Sequence, residues 1–195
     1  LDKALSLLSD FVFNTSFDES EFGKEKEVIL NEIRMGRDES SRRASDLLWE
    51  TAYLVHPYRY PIIGYEDLFR QIGREDLVEY HASKYTPDNC VLSVVGDIDE
   101  AAALRTCENT LGKLPRRAGA GSLKPAEPLQ MSSRRGDAQI EGLNLSYLLI
   151  AFHTTSLADK DLYPLDLLAA VLGQGESSRL HNTLVKQKKL AYGVS

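Results

Sequence analysis

Cysteine is scarce in this chain of 195 residues, which contains only Cys90 and Cys107. Two cysteines form neither a disulfide framework nor a zinc knuckle, and they say little about the compartment. The chain also lacks a run of about twenty apolar residues, so we expect no membrane span. These absences exclude a disulfide-stapled domain and a helical membrane anchor within the sequence.

An excess of positive charge is also missing. The chain has 23 Lys and Arg residues against 29 Asp and Glu residues, which gives a net charge of −6. This balance argues against a nucleic-acid or anionic-membrane partner. The hydrophobic content of 43% is sufficient for a packed core, and the length allows one large or two small domains.

The chain has no initiator methionine and no signal peptide. It opens directly in a helical pattern, LDKALSLLSDFVFN, and stops at KKLAYGVS, where an apolar, β-prone run begins. We therefore expect a piece of a longer protein, whose targeting signals cannot be judged from this sequence.

Periodicity divides the chain into mainly helical and mainly extended segments. Prolines and a glycine predict a loop over 56–67, and a Pro-, Gly-, Ser- and Arg-rich stretch predicts a linker over 116–136. Apolar, β-rich runs predict buried strands over 90–97 and 143–155. Helices are predicted over 1–14, 21–36, 39–55, 73–85, 99–114, 159–173 and 177–187. The order predicts an α+β fold in two units.

The segment 21–36, EFGKEKEVILNEIRMG, predicts an amphipathic helix with Asp18 as its N-cap and Glu21 as a capping-box partner. At about 100° per residue, one arc of this helix is apolar and should be buried: Phe22, Val28, Ile29, Ile33 and Met35. The opposite side should face solvent: Glu27, Asn31 and Arg34.

Glu25 and Glu32 interrupt this apolar arc two turns apart. Unpaired carboxylates are costly to bury, so they require cationic partners, protonation or a metal ion. A Lys or Arg from a neighbouring element could pair with them, or the edge of the arc could be wet. The residues alone leave these interpretations open.

The stretch FGKEKEVILNEI resembles the segment of M16 peptidases that follows their inverted zinc motif, H-x-x-E-H. In that family two histidines of the motif and a glutamate on a later helix bind zinc. A further glutamate lies seven residues before the ligand. The resemblance implies that Glu32 is a Zn²⁺ ligand. It also implies that Glu25 is a catalytic carboxylate, which either orients a ligating histidine or helps to move protons.

The resemblance covers nearly the whole chain. HPYRYPIIGYED and REDLVEYHASKYTPDNCVLSVVGDID match the second half of the first family domain, and the segment from LNLSYLLIAFHTT onwards resembles the opening of the next. It implies a mainly antiparallel sheet covered by helices in each unit. Residues 1–115 would be the second half of the N-terminal peptidase domain, and 137–195 the first half of the following homologous domain.

The sequence departs from the family pattern at two places. None of its four histidines, His56, His81, His153 and His181, belongs to an H-x-x-E-H motif, so we expect this chain alone to be inactive. Many family members also have an arginine seven residues before a tyrosine, and both contact the substrate backbone. Tyr192 matches this substrate-binding tyrosine, but Val185 occupies the arginine position. One hypothesis is a homo- or heterodimer in which another M16-type subunit supplies the arginine.

The resemblance implies a zinc-dependent endopeptidase that cleaves peptides or unfolded polypeptides, with the extended substrate paired to a sheet edge. We expect a soluble protein of the bacterial cytoplasm or periplasm rather than the mitochondrion. The alternatives are a non-catalytic partner or scaffold subunit of an M16-type complex and an unrelated helical binding module. Retention of both Glu25 and Glu32 argues for the enzyme, because a helix without zinc gains nothing from two acids on its apolar arc.

Overall fold

A computed structural model describes residues 1–115, 125–143 and 145–195. The first nine residues of the predicted linker and Asn144 of the predicted second strand lie outside the described residues. The chain forms two compact units, Leu1–Ile150 and Ala151–Ser195, which are described separately below.

The first unit is built from helices that follow the predicted order. Helix α1 packs on α6, and α2 packs on α3 and α4. The buried apolar side chains among the described residues are Leu5, Leu30, Ile33 and Ala103. The helices are α1 (Asp2–Phe13), α2 (Glu19–Asp38), α3 (Ser40–Ala52), α4 (Glu66–Gln71), α5 (Arg74–Lys84) and α6 (Glu100–Thr110). Single 3₁₀ turns occur at Pro57–Arg59, Pro87–Asn89 and Leu111–Lys113.

The predicted N-caps are confirmed. Asp18 Oδ1 accepts hydrogen bonds from the Ser20 and Glu21 amides at 2.9 and 3.3 Å. The Ser20 hydroxyl also donates to Asp18, and these bonds lower the pKa of the Asp18 carboxyl. Glu21 does not complete a capping box, because its carboxylate pairs with Lys24 at 2.7 Å. Asp99 Oδ1 accepts from the Ala102 amide at 2.7 Å and starts α6 in the same manner.

The predicted α+β fold with a mainly antiparallel sheet is wrong for this structure: the described residues form helices and turns and contain no strand. A strand exists only when a neighbouring strand takes its backbone hydrogen bonds, and β-propensity reflects packing in such a sheet. The two β-rich runs find no such neighbour among the described residues. Val91 and Val95 are 98% and 92% exposed, and Phe152 is 82% exposed.

The second unit contains α7 (Leu162–Gly173) and a π-helical segment (His181–Gln187). The end of α7 lies close to the last residue of the chain, since a Cβ at Gly173 would come within 3.0 Å of the Ser195 carbonyl carbon. The amides of Leu190 and Ala191 donate to the Leu184 carbonyl at 2.8 and 3.4 Å and so close the π-helical segment. In the described ranges no helix combines the length and apolarity that a bilayer crossing requires.

Residues 125–136 return to the end of α3. Glu127 accepts hydrogen bonds from the backbone amides of Leu54, Val55 and His56 at 2.7, 2.9 and 2.9 Å. Arg134 Nη1 lies 3.6 Å from the Glu127 carboxylate and donates to the Ala52 carbonyl at 2.9 Å. A single carboxylate therefore joins this part of the predicted linker to the loop that follows α3.

Burial raises the pKa of Glu127. The three backbone hydrogen bonds and the Arg134 charge outweigh this effect and hold its pKa at about 2, below the ordinary value of 4.5. A carboxyl group with a depressed pKa in the folded state stabilises the fold above its unfolded pKa. That contribution is lost as the pH falls towards the folded value.

We expect Glu127→Gln to lower stability at pH 7, because the amide lacks the charge and turns a donor towards the backbone N–H groups. The difference from wild type should shrink between about pH 5 and pH 2, where the wild-type carboxylate itself becomes protonated. Urea midpoints at pH 7 and pH 3 measure this difference. Glu108→Gln, at an exposed position of α6, is the control and should differ little from wild type at either pH. An equal deficit of Glu127→Gln at both pH values would contradict the assignment.

Candidate functional site

Helix α2 turns only part of its predicted apolar arc towards the core, since Val28 and Met35 at one edge of that arc are exposed. Leu30 and Ile33 are its buried residues, and Phe22 and Ile29 are half-buried. Glu25 and Glu32 are exposed, which agrees with the alternative of a wet edge and not with burial of their carboxylates. Helix α4 packs on the side of α2 that carries Lys26, Arg34 and Arg37, and a hydrophobic pattern cannot predict such charged contacts.

The exposed side of α2 is an alternating row of Glu25, Val28, Glu32 and Met35, which we call the acidic stripe. Val28 is 50% exposed and Met35 is 71% exposed. Among the described residues neither carboxylate has a hydrogen bond or an ion pair. The two glutamates are two turns apart, which is about 10 Å along the helix.

The donor chemistry of Glu32 fits zinc, since a carboxylate oxygen is an ordinary zinc ligand and no cation of the described residues neutralises it. The remaining ligands are not supplied here, because no group of three His, Cys, Asp or Glu side chains in the described ranges could hold a metal ion. His56 accepts a hydrogen bond from the Tyr58 amide at 3.2 Å, and His81 Nε2 lies 2.8 Å from the Val12 carbonyl oxygen. Glu32 therefore fits as one ligand of a site that needs further donors.

Glu66 on α4 is the polar centre that the sequence analysis missed. Its carboxylate accepts from Arg34 Nε at 3.2 Å, Arg37 Nη1 at 2.7 Å and Arg70 Nη2 at 2.7 Å. Glu66 is only 9% exposed. The Arg70 hydrogen bond holds the pKa of Glu66 below its ordinary value despite burial, and Arg34 adds to this effect. Arg34 is exposed, as predicted, and its guanidinium also joins α2 to α4. The i, i+4 spacing of Glu66 and Arg70 was the one local signal of this cluster.

The residues of the substrate-binding prediction, Tyr192 and Val185, lie in the second unit. Tyr192 is 91% exposed. Val185 is half-buried within the π-helical segment. Lys186 donates to the Glu176 carbonyl at 3.2 Å, and its Nζ lies 3.7 Å from the Glu176 carboxylate. The neighbouring lysine is thus engaged locally and does not replace the missing arginine.

A groove of about 1110 Å³ lies in the first unit between α3 and residues 135–143 and 145–147. Its walls carry charges of both signs, including Arg42, Arg43, Asp46 and Glu141. Neither glutamate of the acidic stripe is among the described residues that line it. The groove and the acidic stripe are therefore separate features of the first unit.

Two family models match the chain. Residues 1–66 match "Insulinase (Peptidase family M16)", and residues 71–195 match "Peptidase M16 inactive domain". The chain belongs to peptidase family M16. The resemblance inferred from the residue patterns is confirmed, and the M16 chain carries both Glu25 and Glu32 in the first of these matches. The predicted domain division at 116–136 stays a prediction.

Relatives of this M16 chain are named as zinc proteases. An uncharacterized zinc protease of Bacillus subtilis is 32% identical over 98% of the chain and 46% of its own length. A zinc protease of Helicobacter pylori is 29% identical over 98% of the chain and 44% of its own length. The chain thus spans about half the length of the curated relatives that it matches.

Solved structures give the same assignment. The crystal structure of a protease from Helicobacter pylori matches 97% of the chain and 47% of that protein, with a TM-score of 0.82 and 27% identity. A putative M16-like peptidase from Alicyclobacillus acidocaldarius matches 65% of the chain and 30% of that protein, with a TM-score of 0.57 and 31% identity. The backbone of this M16 chain therefore resembles part of a peptidase.

Proposed function

We propose that the whole protein is a zinc-dependent endopeptidase that cleaves peptides or unfolded polypeptides. The observation that supports it best is the acidic stripe: two glutamates without partners among the described residues lie on the exposed side of α2, within the segment that matches the M16 peptidase model. Two exposed carboxylates on one helix do not contribute to its packing. They would contribute to function if a metal ion and its other ligands covered this side of α2.

In this proposal Glu32 supplies one carboxylate ligand, and histidines from outside the 195 residues supply the others. Zinc bound there would act as a Lewis acid on the scissile carbonyl. Glu25, two turns away on the same side of α2, would either accept a hydrogen bond from a ligating imidazole and fix its orientation or help to move protons. Tyr192 would contact the backbone of an extended substrate.

We also propose that a second M16-type subunit completes the substrate contacts, as a homo- or heterodimer. Val185 at the arginine position and the engagement of Lys186 with Glu176 support this proposal. Full activity of the purified protein as a monomer, measured with its mass by light scattering, would contradict it.

Zinc content and peptidase activity of the purified whole protein test the proposed function. We expect about one zinc ion for each chain in which the histidine ligands are present. The protein should cleave an unstructured fluorogenic peptide. A chelator should abolish this cleavage, and added zinc should restore it. The 195 residues alone should be inactive, because they lack a complete ligand set. A whole protein that binds no zinc and cleaves nothing would instead support the non-catalytic partner or scaffold subunit.

A further inference from the structure

Four hydrogen bonds from three side chains of α2 join this helix to α4 and to Ile72, the residue that follows α4. Arg34 and Arg37 donate to the Glu66 carboxylate, as described above. Lys26 Nζ donates to the carbonyl of Arg70 at 2.8 Å and to the carbonyl of Ile72. The contacts extend from residue 26 to residue 37 of α2, and the stripe extends from residue 25 to residue 35.

These contacts lie away from the acidic stripe. At about 100° per residue, Arg34 and Arg37 are about 160° and 140° from Glu32 around the helix axis. Neither arginine, nor Glu66 behind them, projects towards a ligand at the stripe. Any influence of Glu66 on the stripe must therefore pass through the orientation of α2 itself.

Apolar packing alone leaves that orientation loosely defined. The buried apolar residues of α2 are Leu30 and Ile33, and burial of apolar area favours no particular direction. Guanidinium–carboxylate hydrogen bonds are directional. The side chain of Glu66 is only 12% exposed, whereas those of Arg34 and Arg37 are 44% and 56% exposed, so the carboxylate is the partner that is shielded from water. The charged cluster is thus the directional part of the contact between α2 and α4.

We propose that Glu66 is a positioning residue, which sets the rotation of α2 and thereby the direction in which Glu32 presents its carboxylate to zinc. This inference rests on the proposed function. Glu66 touches neither metal nor substrate and acts through Arg34 and Arg37.

The double variant Arg34→Gln/Arg37→Gln tests this role in the whole protein. It removes the link to α2 and leaves Glu66 paired with Arg70, so no buried carboxylate loses all its partners. Glu66→Gln is the companion variant. If Glu66→Gln fails to fold, the test rests on the Arg34→Gln/Arg37→Gln variant. The control for charge is Arg43→Gln/Arg105→Gln at two exposed positions, and the control for lost stability is Glu127→Gln.

The measurements are the zinc dissociation constant, from competition with a chelating dye, and the visible absorption of the Co²⁺-substituted protein, with circular dichroism as the check on folding. We expect about 10-fold weaker zinc binding and a changed Co²⁺ spectrum when the arginines are replaced. About 10-fold is the lower end of the effect of losing a group that hydrogen-bonds a metal ligand directly, and the arginines act on Glu32 only through α2. Both controls should retain wild-type zinc affinity and the wild-type spectrum.

A folded arginine variant with wild-type zinc affinity and an unchanged Co²⁺ spectrum would overturn the positioning role alone. Failure of the wild-type protein to bind zinc would overturn the proposed function, and the positioning role with it. The two failures are distinguished by the wild-type measurement.

Discussion

Glu32→Gln is expected to abolish tight zinc binding in the whole protein while the fold remains intact. Glutamine loses the negative charge, and its amide is a poor zinc ligand. Loss of an orienting partner alone usually costs 10–100-fold in metal affinity, so loss of a ligand should cost at least about 100-fold in affinity and in kcat/KM. The fold should persist because Glu32 is exposed and glutamine has a helix propensity close to that of glutamate.

Zinc content by atomic absorption, zinc affinity by chelator competition and peptide cleavage measure this effect. Glu27→Gln is the matched control, since it makes the same chemical change at another exposed position of α2. It should retain wild-type zinc content and activity. Unchanged metal content in Glu32→Gln would remove Glu32 from the zinc site, and equal loss in both variants would indicate a general effect of charge.

Leu30→Ala is expected to be the most destabilising single replacement in α2, at about 2–5 kcal/mol. The Leu30 side chain is 1% exposed, so truncation removes buried apolar atoms and leaves a cavity between closely packed helices. Chemical denaturation of the whole protein, followed by circular dichroism, measures the change. The unit that contains α2 should unfold at a lower denaturant concentration.

Val28→Ala is the matched control for Leu30→Ala. Val28 lies two residues away and is 50% exposed, so its truncation should change the free energy of unfolding by no more than about 0.5 kcal/mol. Comparable small effects of both replacements would show that α2 does not pack through Leu30.

The helices were accessible from local patterns. Capping residues such as Asp18 and Asp99 and the 3.6-residue periodicity act within one turn, so helix positions were predicted to within a few residues. The α4 helix at Glu66–Gln71 was missed, because it is only six residues long and follows directly on a loop rich in proline. The strands were wrong because their stability depends on hydrogen-bonding neighbours distant in sequence.

For the candidate site, too, the sequence predicted the local arrangement, and the tertiary structure decided the rest. The sequence by itself determined that Glu25 and Glu32 lie on one side of one helix, since their spacing of two turns follows from helix geometry. It also determined the family through the order of its segments. Which part of the α2 surface is buried was decided only by the tertiary structure, in which Leu30 and Ile33 are buried and Arg34 and Arg37 reach Glu66 on α4. A helix wheel counts apolar residues within one segment, whereas the contacts of Arg34 and Arg37 depend on Glu66, a partner about thirty residues later in the sequence.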